Sequence, residues 1–458
     1  MPLRDLLLAT VVFSLLPVCF VRPWLGILLW TWIGMMNPQW LAFGFAAHIP
    51  WAMLVGAATI AGIIFARDRK RVPWNAQLVL MVVLVAYFAF TTAFAWVPDL
   101  AQEKLKLIVK VVFMAILGTT VIYGRKRIRW LLIVIALSIG YYGIKGGIWV
   151  IATGGGNMVY GPEGGFIQGN NAIGVALLMV MPIMLVLARE ERRNWARRCL
   201  NGAAFLSCIS VVFTYSRGAM LGLAASMPLM LLSSRRKLLA VLVLVPAIAM
   251  GVMFAPAKVF DRAQTIGTYE TDGSAMQRLA AWSVAWNVAV ESPLVGAGLD
   301  FYFTRDTERW LRHIHPDFRR FLRDSCAAHS IYFQILGEHG FVALGLYLIL
   351  LFSALWRCSQ LRKRTAGNAE LEWIGNYAAA IRICLIGYMV SGAFLSIANF
   401  DLAWIYYSFT AILGRELAES TIATASKPAQ AGRGQLQLRH PPSLARAPDS
   451  IVARYEEG

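Results

Sequence analysis

The sequence predicts an all-α polytopic membrane protein of about twelve transmembrane helices, with one long outer loop that itself contains helices. Two observations carry this expectation. Hydrophobic residues make up 58% of the 458-residue chain and the mean hydropathy is +0.59, far above a soluble domain. Apolar runs also recur at the roughly 17 to 25 residues that cross about 30 Å of hydrocarbon as helix.

The first run, near 6–21, follows MPLRD, and no small-x-small cleavage site comes after it, so it reads as a span rather than a signal peptide. Residues 24–47 are apolar but hold Asn37 and Pro38, with Pro50 just beyond, and read as a broken or re-entrant helix. Spans are expected near 51–66, 74–97, 107–123, 130–152, 170–188, 199–215, 219–233 and 238–255. Residues 256–330 form the long loop. Runs near 331–356, 377–397 and 401–413 complete the set. The expected organisation is therefore 1–255 transmembrane helices with short loops, 256–330 a loop domain, 331–413 the C-terminal helices, and 414–458 a tail. That tail, rich in Ala, Pro, Ser, Gln and Arg, reads as disordered and cytoplasmic. No internal repeat and no matched pair of Gly/Pro-interrupted spans is visible, which weighs against an inverted-repeat transporter.

The net charge of +18, from 43 Lys and Arg against 25 Asp and Glu, is dispersed rather than gathered on one surface. Its clusters, at 67–71, 125–129, 189–198, 235–237 and 357–364, fall at alternate turns, which is the positive-inside pattern rather than a nucleic-acid footprint. This pattern puts the 256–330 loop, the glycine-rich 153–169 loop and the turn Tyr215-Ser216-Arg217-Gly218 on the outer face. The cysteines at 19, 199, 208, 326, 358 and 384 form no CxxC pair and no metal-ligand spacing.

Within the loop, Ser274 and Gln277 stand at capping-box spacing before a helix running to about Val290, and Ser292-Pro293 ends it. Arg278 falls in its first turn, where the helix dipole does not favour a cation. It reads either as a bidentate phosphate contact or as a salt bridge to Glu270 or Asp272. Trp282 and Trp286 read as resting against lipid or core. Arg217, in its short turn, either snorkels to headgroups or holds an anion at the membrane surface. His329 stands where a charged segment meets the span beginning near Ser330. It is either a structural histidine at a helix N-terminus or a proton acceptor for a hydroxyl near neutral pH.

Tyr332 shares the helical face of His329, whereas Glu338 lies deeper along a straight helix and is a functional candidate because it is an intramembrane acid. Lys104, Lys106 and Lys110 mark another outer mouth, where they snorkel or add positive potential. Glu270 with Asp272, and Asp306 with Glu308, are carboxylate pairs of the kind that can hold a divalent cation, a weak signal. Positive and proton-accepting groups on one outer face suit an anionic lipid-linked donor.

An ordered set of motifs, TYSRGAML, SAMQRLAAW, SPLVGAGLDFY and AHSIYFQILGEHGFVALGLYL, resembles the O-antigen ligase and polymerase superfamily of bacterial inner-membrane glycan transferases. LLWTWIGMMNPQWLAFGFA, ALSIGYYGIKGGIWVIATGGG and GTYETDGSA are similar to the subgroup of O-glycosylation ligases associated with exosortase systems, so the likeness covers roughly residues 3–415.

The resemblance implies transfer of a whole glycan from undecaprenyl pyrophosphate to an acceptor hydroxyl at the periplasmic face, with inversion and without metal. It also implies that Arg217 and Arg278 bind and stabilise the departing pyrophosphate and that His329 is the general base. Where many relatives carry Asn after the histidine, this chain has Ser330. The expected catalytic set is His329, Arg217 and Arg278, and the expected substrate-binding set is Arg217, Arg278, Lys106, Tyr332 and Glu338, with no cofactor. The expected partners are the undecaprenyl-pyrophosphate-linked glycan, a lipid A-core acceptor and membrane lipid. A ligase acting on protein or exopolysaccharide, a polymerase and a lipid-linked glycan transporter are the alternatives.

Overall fold

The computed structural model describes residues 3–67, 69–232, 273–303, 307–321 and 327–425. It divides into two compact units, Met1–Leu417 and Ala418–Gly458. The expected span near 238–255 and the pair Glu270 and Asp272 lie outside the described residues.

Every regular element described is helical: α1 (Leu3–Val21), α2 (Pro23–Met36), α3 (Trp51–Phe65), α4 (Ala76–Thr92), α5 (Pro98–Gly118), α6 (Gly124–Ala152), α7 (Gly169–Glu190), α8 (Asn194–Val212), α9 (Arg217–Leu232), α10 (Gly273–Glu291), α11 (Thr307–Leu311), α12 (Ile331–Thr365), α13 (Glu372–Gly392) and α14 (Asp401–Ala425). Five of these, α1, α6, α7, α12 and α13, are long and apolar enough to cross a membrane, and α2, α3, α4 and α9 are shorter apolar helices. These are helices among the described residues, and the expected run near 238–255 lies outside them. The shorter helices span less than the hydrocarbon thickness on their own. Helix α5 carries Asp99, Glu103, Lys104, Lys106 and Lys110, and α14 carries Arg415, Glu416 and Glu419.

Helix α7 is the centre of the bundle, with 89% of its apolar window buried against α6, α8, α9 and α13. Helix α1 lies at the periphery, with only 22% of its window buried, and side chains such as Leu7, Phe13 and Val21 face outward. An apolar exterior over a packed interior is what a lipid solvent requires.

The expected break after residue 24 is present. Asn37 ends α2 in the left-handed conformation (φ 50°, ψ 53°), and 3₁₀ turns at Pro38–Leu41 and Phe45–Ala47 lead to α3. Asp5 closes this corner by accepting from the Gly44 and Ala46 amides at 3.0 and 2.9 Å.

The basic clusters at 67–71, 125–129 and 189–198 meet at one end of the bundle. Lys70 N donates to Thr120 O, Arg129 pairs with Glu190 and Glu191, and Tyr377 donates to Glu190 at 2.6 Å. Helix α14 continues twelve residues beyond the expected end at 413. Arg415 donates to Thr119 O and Ile122 O, and Glu416 accepts from Gly124 N, which ties residues 415 and 416 to the α5–α6 turn. Residues 426–458 of the expected tail lie outside the described residues.

At the opposite end, α10 and the segments around it build a small core of their own from Ala280, Ala281, Val284, Val288, Ala297, Phe301, Tyr302, Ile314 and Ala328. This core docks on α12, and α12 is not straight. Gly340 (φ 78°, ψ −171°) breaks it, and the segment 293–298 lies in the break. Ala297 N and Gly298 N donate to Gly337 O and Glu338 O at 2.9 and 2.8 Å, and Phe341 N donates to Pro293 O at 2.9 Å. Loop backbone thus supplies the bonds that the interrupted helix lacks.

Candidate functional site

His329 is the second residue before α12, with Ser330 in extended conformation as the N-cap. Its own backbone is left-handed at φ 44°, a conformation uncommon for any residue with a Cβ. Two side chains from different parts of the fold fix the segment. The His329 amide donates to Ser396 Oγ at 2.7 Å, and the preceding carbonyl, Ala328 O, accepts from Trp282 Nε1 at 2.7 Å. The Trp282 indole in turn stacks on Phe333, with ring centroids 4.9 Å apart and planes 9° from parallel. The tryptophan expected to rest against lipid or core therefore also holds the backbone next to the histidine.

Arg278 lies on α10 one turn before Trp282. The helix includes Gly273 and Ser274, so Ser274 stands inside it rather than as its cap, and Arg278 falls in the second turn rather than the first. The half-buried guanidinium is close enough to act on the histidine. Burial first, and the Arg278 charge second, hold His329 below the ordinary imidazole range. A neutral ring with a free lone pair is the form that accepts a proton.

Arg217 opens α9, directly after a turn at Tyr215 (φ 53°). That turn is anchored by Tyr215 OH on Gly155 O at 2.7 Å and by Asn170 Nδ2 on Thr214 O at 2.9 Å. The next residue, Gly218, packs against the turn after α13: a Cβ there would stand 3.0 Å from Leu395 Cγ and 3.1 Å from Ser391 O. Leu395 adjoins Ser396, so the start of α9 and the His329 backbone meet the same short segment. The expected span at 377–397 ends as helix at Gly392, leaving 393–400 as this connecting turn.

The structure brings Arg217, Arg278, His329 and Tyr332 to one end of the bundle. Tyr332 is half-buried, and its hydroxyl donates to Met389 O at 3.1 Å, tying α12 to α13. Lys106 is not brought into this group, because it lies on the exposed face of α5. Two residues earlier, on nearly the opposite face of the helix, Lys104 reaches Asp300 at 3.7 Å. Glu338 is fully buried at the break in α12, where Oε1 accepts from Asp300 N and from Gln334 Nε2, each at 3.2 Å. Its neighbour His339 bonds Thr91 Oγ1 at 2.6 Å and stacks on Phe88. Glu338 thus fixes the backbone just after the inserted loop, and His339 ties the break to α4. Sequence reasoning did not find Ser396, Gln334 or Asp300 as partners, since each acts through tertiary contact without a motif of its own. Trp282 carried a signal, its helical spacing from Arg278.

Residues 202–348 match the model of the family described as O-antigen ligase, and residues 3–192 match a family of unknown function (DUF5935). No curated protein matches the chain. The 202–348 match holds Arg217, Arg278 and His329, and it supports the O-antigen ligase superfamily and ligase-type glycan transfer by a multi-pass membrane enzyme.

Proposed function

We propose that the chain is an inverting, metal-independent glycan transferase of the O-antigen ligase type. It moves a glycan from undecaprenyl pyrophosphate to a hydroxyl of lipid A-core at the periplasmic face of the bacterial inner membrane. The observation that carries this reading is the placing of Arg217, Arg278 and His329, whose backbone is left-handed and whose ring is held below the ordinary imidazole range by burial and the Arg278 charge, at one end of the bundle, opposite the basic clusters at 67–71, 125–129 and 189–198. The positive-inside rule supports reading that end as the periplasmic one.

His329 takes the proton of the acceptor hydroxyl as its oxygen forms the new bond to the anomeric carbon. The bond from that carbon to the pyrophosphate oxygen breaks on the opposite side, and the pyrophosphate leaves with the electron pair. Arg217 and Arg278 hold that departing charge. Guanidinium groups fixed at developing charge in a low-dielectric site are a large part of such catalysis, and a positioned base contributes roughly 10² to 10⁴. Protein, exopolysaccharide or a second donor are the other acceptors the same chemistry serves.

The break at Gly340 with Glu338 and His339 buried beside it favours a second reading, a lipid-linked glycan transporter, because transporters place discontinuous helices at their substrate sites. The deciding experiment uses purified protein in lipid, undecaprenyl-pyrophosphate-linked glycan and lipid A-core, with products resolved on a gel. A glycan block moved onto lipid A-core, and lost in His329→Ala with donor still bound, supports the ligase. A growing donor ladder means a polymerase. Full function in His329→Ala means a transporter.

A further inference from the structure

The hydroxyl bonded to the His329 amide comes from Ser396, which lies outside both matched stretches. The segment that carries it, 393–400, is itself fixed from several sides. Ala398 N donates to Gln334 Oε1 at 3.1 Å, Tyr347 OH reaches Ala398 O at 3.1 Å, and Tyr388 OH reaches Ile397 O at 2.8 Å. Leu395 is buried against Gly218 at the start of α9. One short turn thus touches the backbone of His329 on one side and the helix start bearing Arg217 on the other.

His329 needs such a hold. At φ 44° it occupies a region that a residue with a Cβ leaves unless its surroundings fix it. We propose that Ser396 is a positioning residue: its hydroxyl holds His329 in the left-handed conformation that keeps the imidazole beside Arg278, and the 393–400 turn thereby sets the base against Arg217. Ser396 touches no reacting atom and acts through the histidine backbone. The proposal rests on the glycan-transfer reading only for its kinetic arm.

Releasing the amide lets the residue relax to extended backbone and carries the ring away from burial and from Arg278, the charged group that acts on it from α10. The test uses full-length protein in lipid nanodiscs with isotope-labelled histidine, the His329 resonance being assigned with His329→Ala. In Ser396→Ala, the titration midpoint of His329 is expected to rise toward the ordinary imidazole value. With undecaprenyl-pyrophosphate-linked glycan as donor, kcat is expected to fall roughly three- to tenfold with KM unchanged, the effect of one lost hydrogen bond. Ser396→Thr, which keeps the hydroxyl, is expected to restore both.

Trp282→Phe keeps the stack on Phe333 but loses the bond to Ala328 O, so it is expected to move the midpoint in the same direction. If Ser396→Ala does not fold, Ser396→Cys, which keeps the side-chain size but accepts a hydrogen bond only weakly, decides the matter by the same shift. An unchanged midpoint in Ser396→Ala, or no recovery in Ser396→Thr, overturns the proposal. Undiminished turnover in His329→Ala would instead sink the base reading, while the titration would still decide the positioning role.

Discussion

Gly340→Ala tests whether the break in α12 is required by the loop lying in it. At φ 78° and ψ −171° residue 340 occupies a region that is essentially reserved for glycine. A Cβ there would stand 2.3 Å from Pro293 O and 2.8 Å from Pro293 C, against ordinary contact at 3.4–4 Å, so backbone has to move by an ångström or more. The conformational cost is about 1 to 3 kcal/mol. Losing the bond from Phe341 N to Pro293 O adds about 0.5 to 1.5 kcal/mol. Together these give a destabilisation of about 1.5 to 4.5 kcal/mol.

Gly345, on the same helix, is the control. Nothing lies within 4 Å of a Cβ built there, so Gly345→Ala is expected to stabilise by about 0.5 to 1 kcal/mol. Reversible SDS-induced unfolding in mixed micelles, followed by tryptophan fluorescence, reads both. If the two variants unfold at the same SDS fraction, or Gly340→Ala unfolds above the wild type, the argument from the break is wrong.

Arg278→Gln removes one of the two causes that hold His329 below the ordinary range, so the acid limb of the kcat profile should move to higher pH. The sign follows because the base works deprotonated, and with the neighbouring cation gone protonation becomes easier; a limb that stays or moves down contradicts it. His329→Ala should lower kcat by roughly 10² to 10⁴ while donor still binds to the vesicle-embedded protein. Lys104→Met should cost a measurable fraction of about 1 kcal/mol in the same SDS titration, as it breaks a half-exposed pair with Asp300, whereas Lys106→Met should cost nothing; equal effects would refute the facing of α5. Transfer should survive EDTA, and activity lost to EDTA and restored by Mg²⁺ or Mn²⁺ would overturn the metal-free reading.

Much of the bundle was legible because lipid imposes a simple rule, a run of apolar residues per crossing, and because arginines accumulate at one end. Helices α3, α7 and α9 begin and end within a few residues of the apolar runs that announced them, while α6 ends with its run but starts six residues before it. Helix α5 was harder to place, since its first two turns are amphipathic and its lysines belong to the helix rather than to a mouth before it. The candidate groups Arg217, Arg278 and His329 were legible as ionisable side chains in places where charge is costly. Their geometry was not. The left-handed backbone of His329 depends on Ser396, sixty-seven residues away in the chain, and the placing of Glu338 depends on a helix break that a straight helical projection cannot contain. The choice between Lys104 and Lys106 is one of helical phase, which needs a neighbour to set it.

The loop backbone seated at Gly340 also bears on how the chain is made. The carbonyls of Gly337 and Glu338 and the amide of Phe341 find their partners in residues 293–298, which the ribosome releases before α12 exists. Hydrocarbon cannot satisfy those groups. The first part of α12 therefore becomes comfortable in the membrane only once the preceding loop has folded back to receive it. Docking of this loop and completion of that span are expected to go together, and His329, whose amide bonds Ser396 Oγ, takes the backbone described here only with the later 393–400 turn in place.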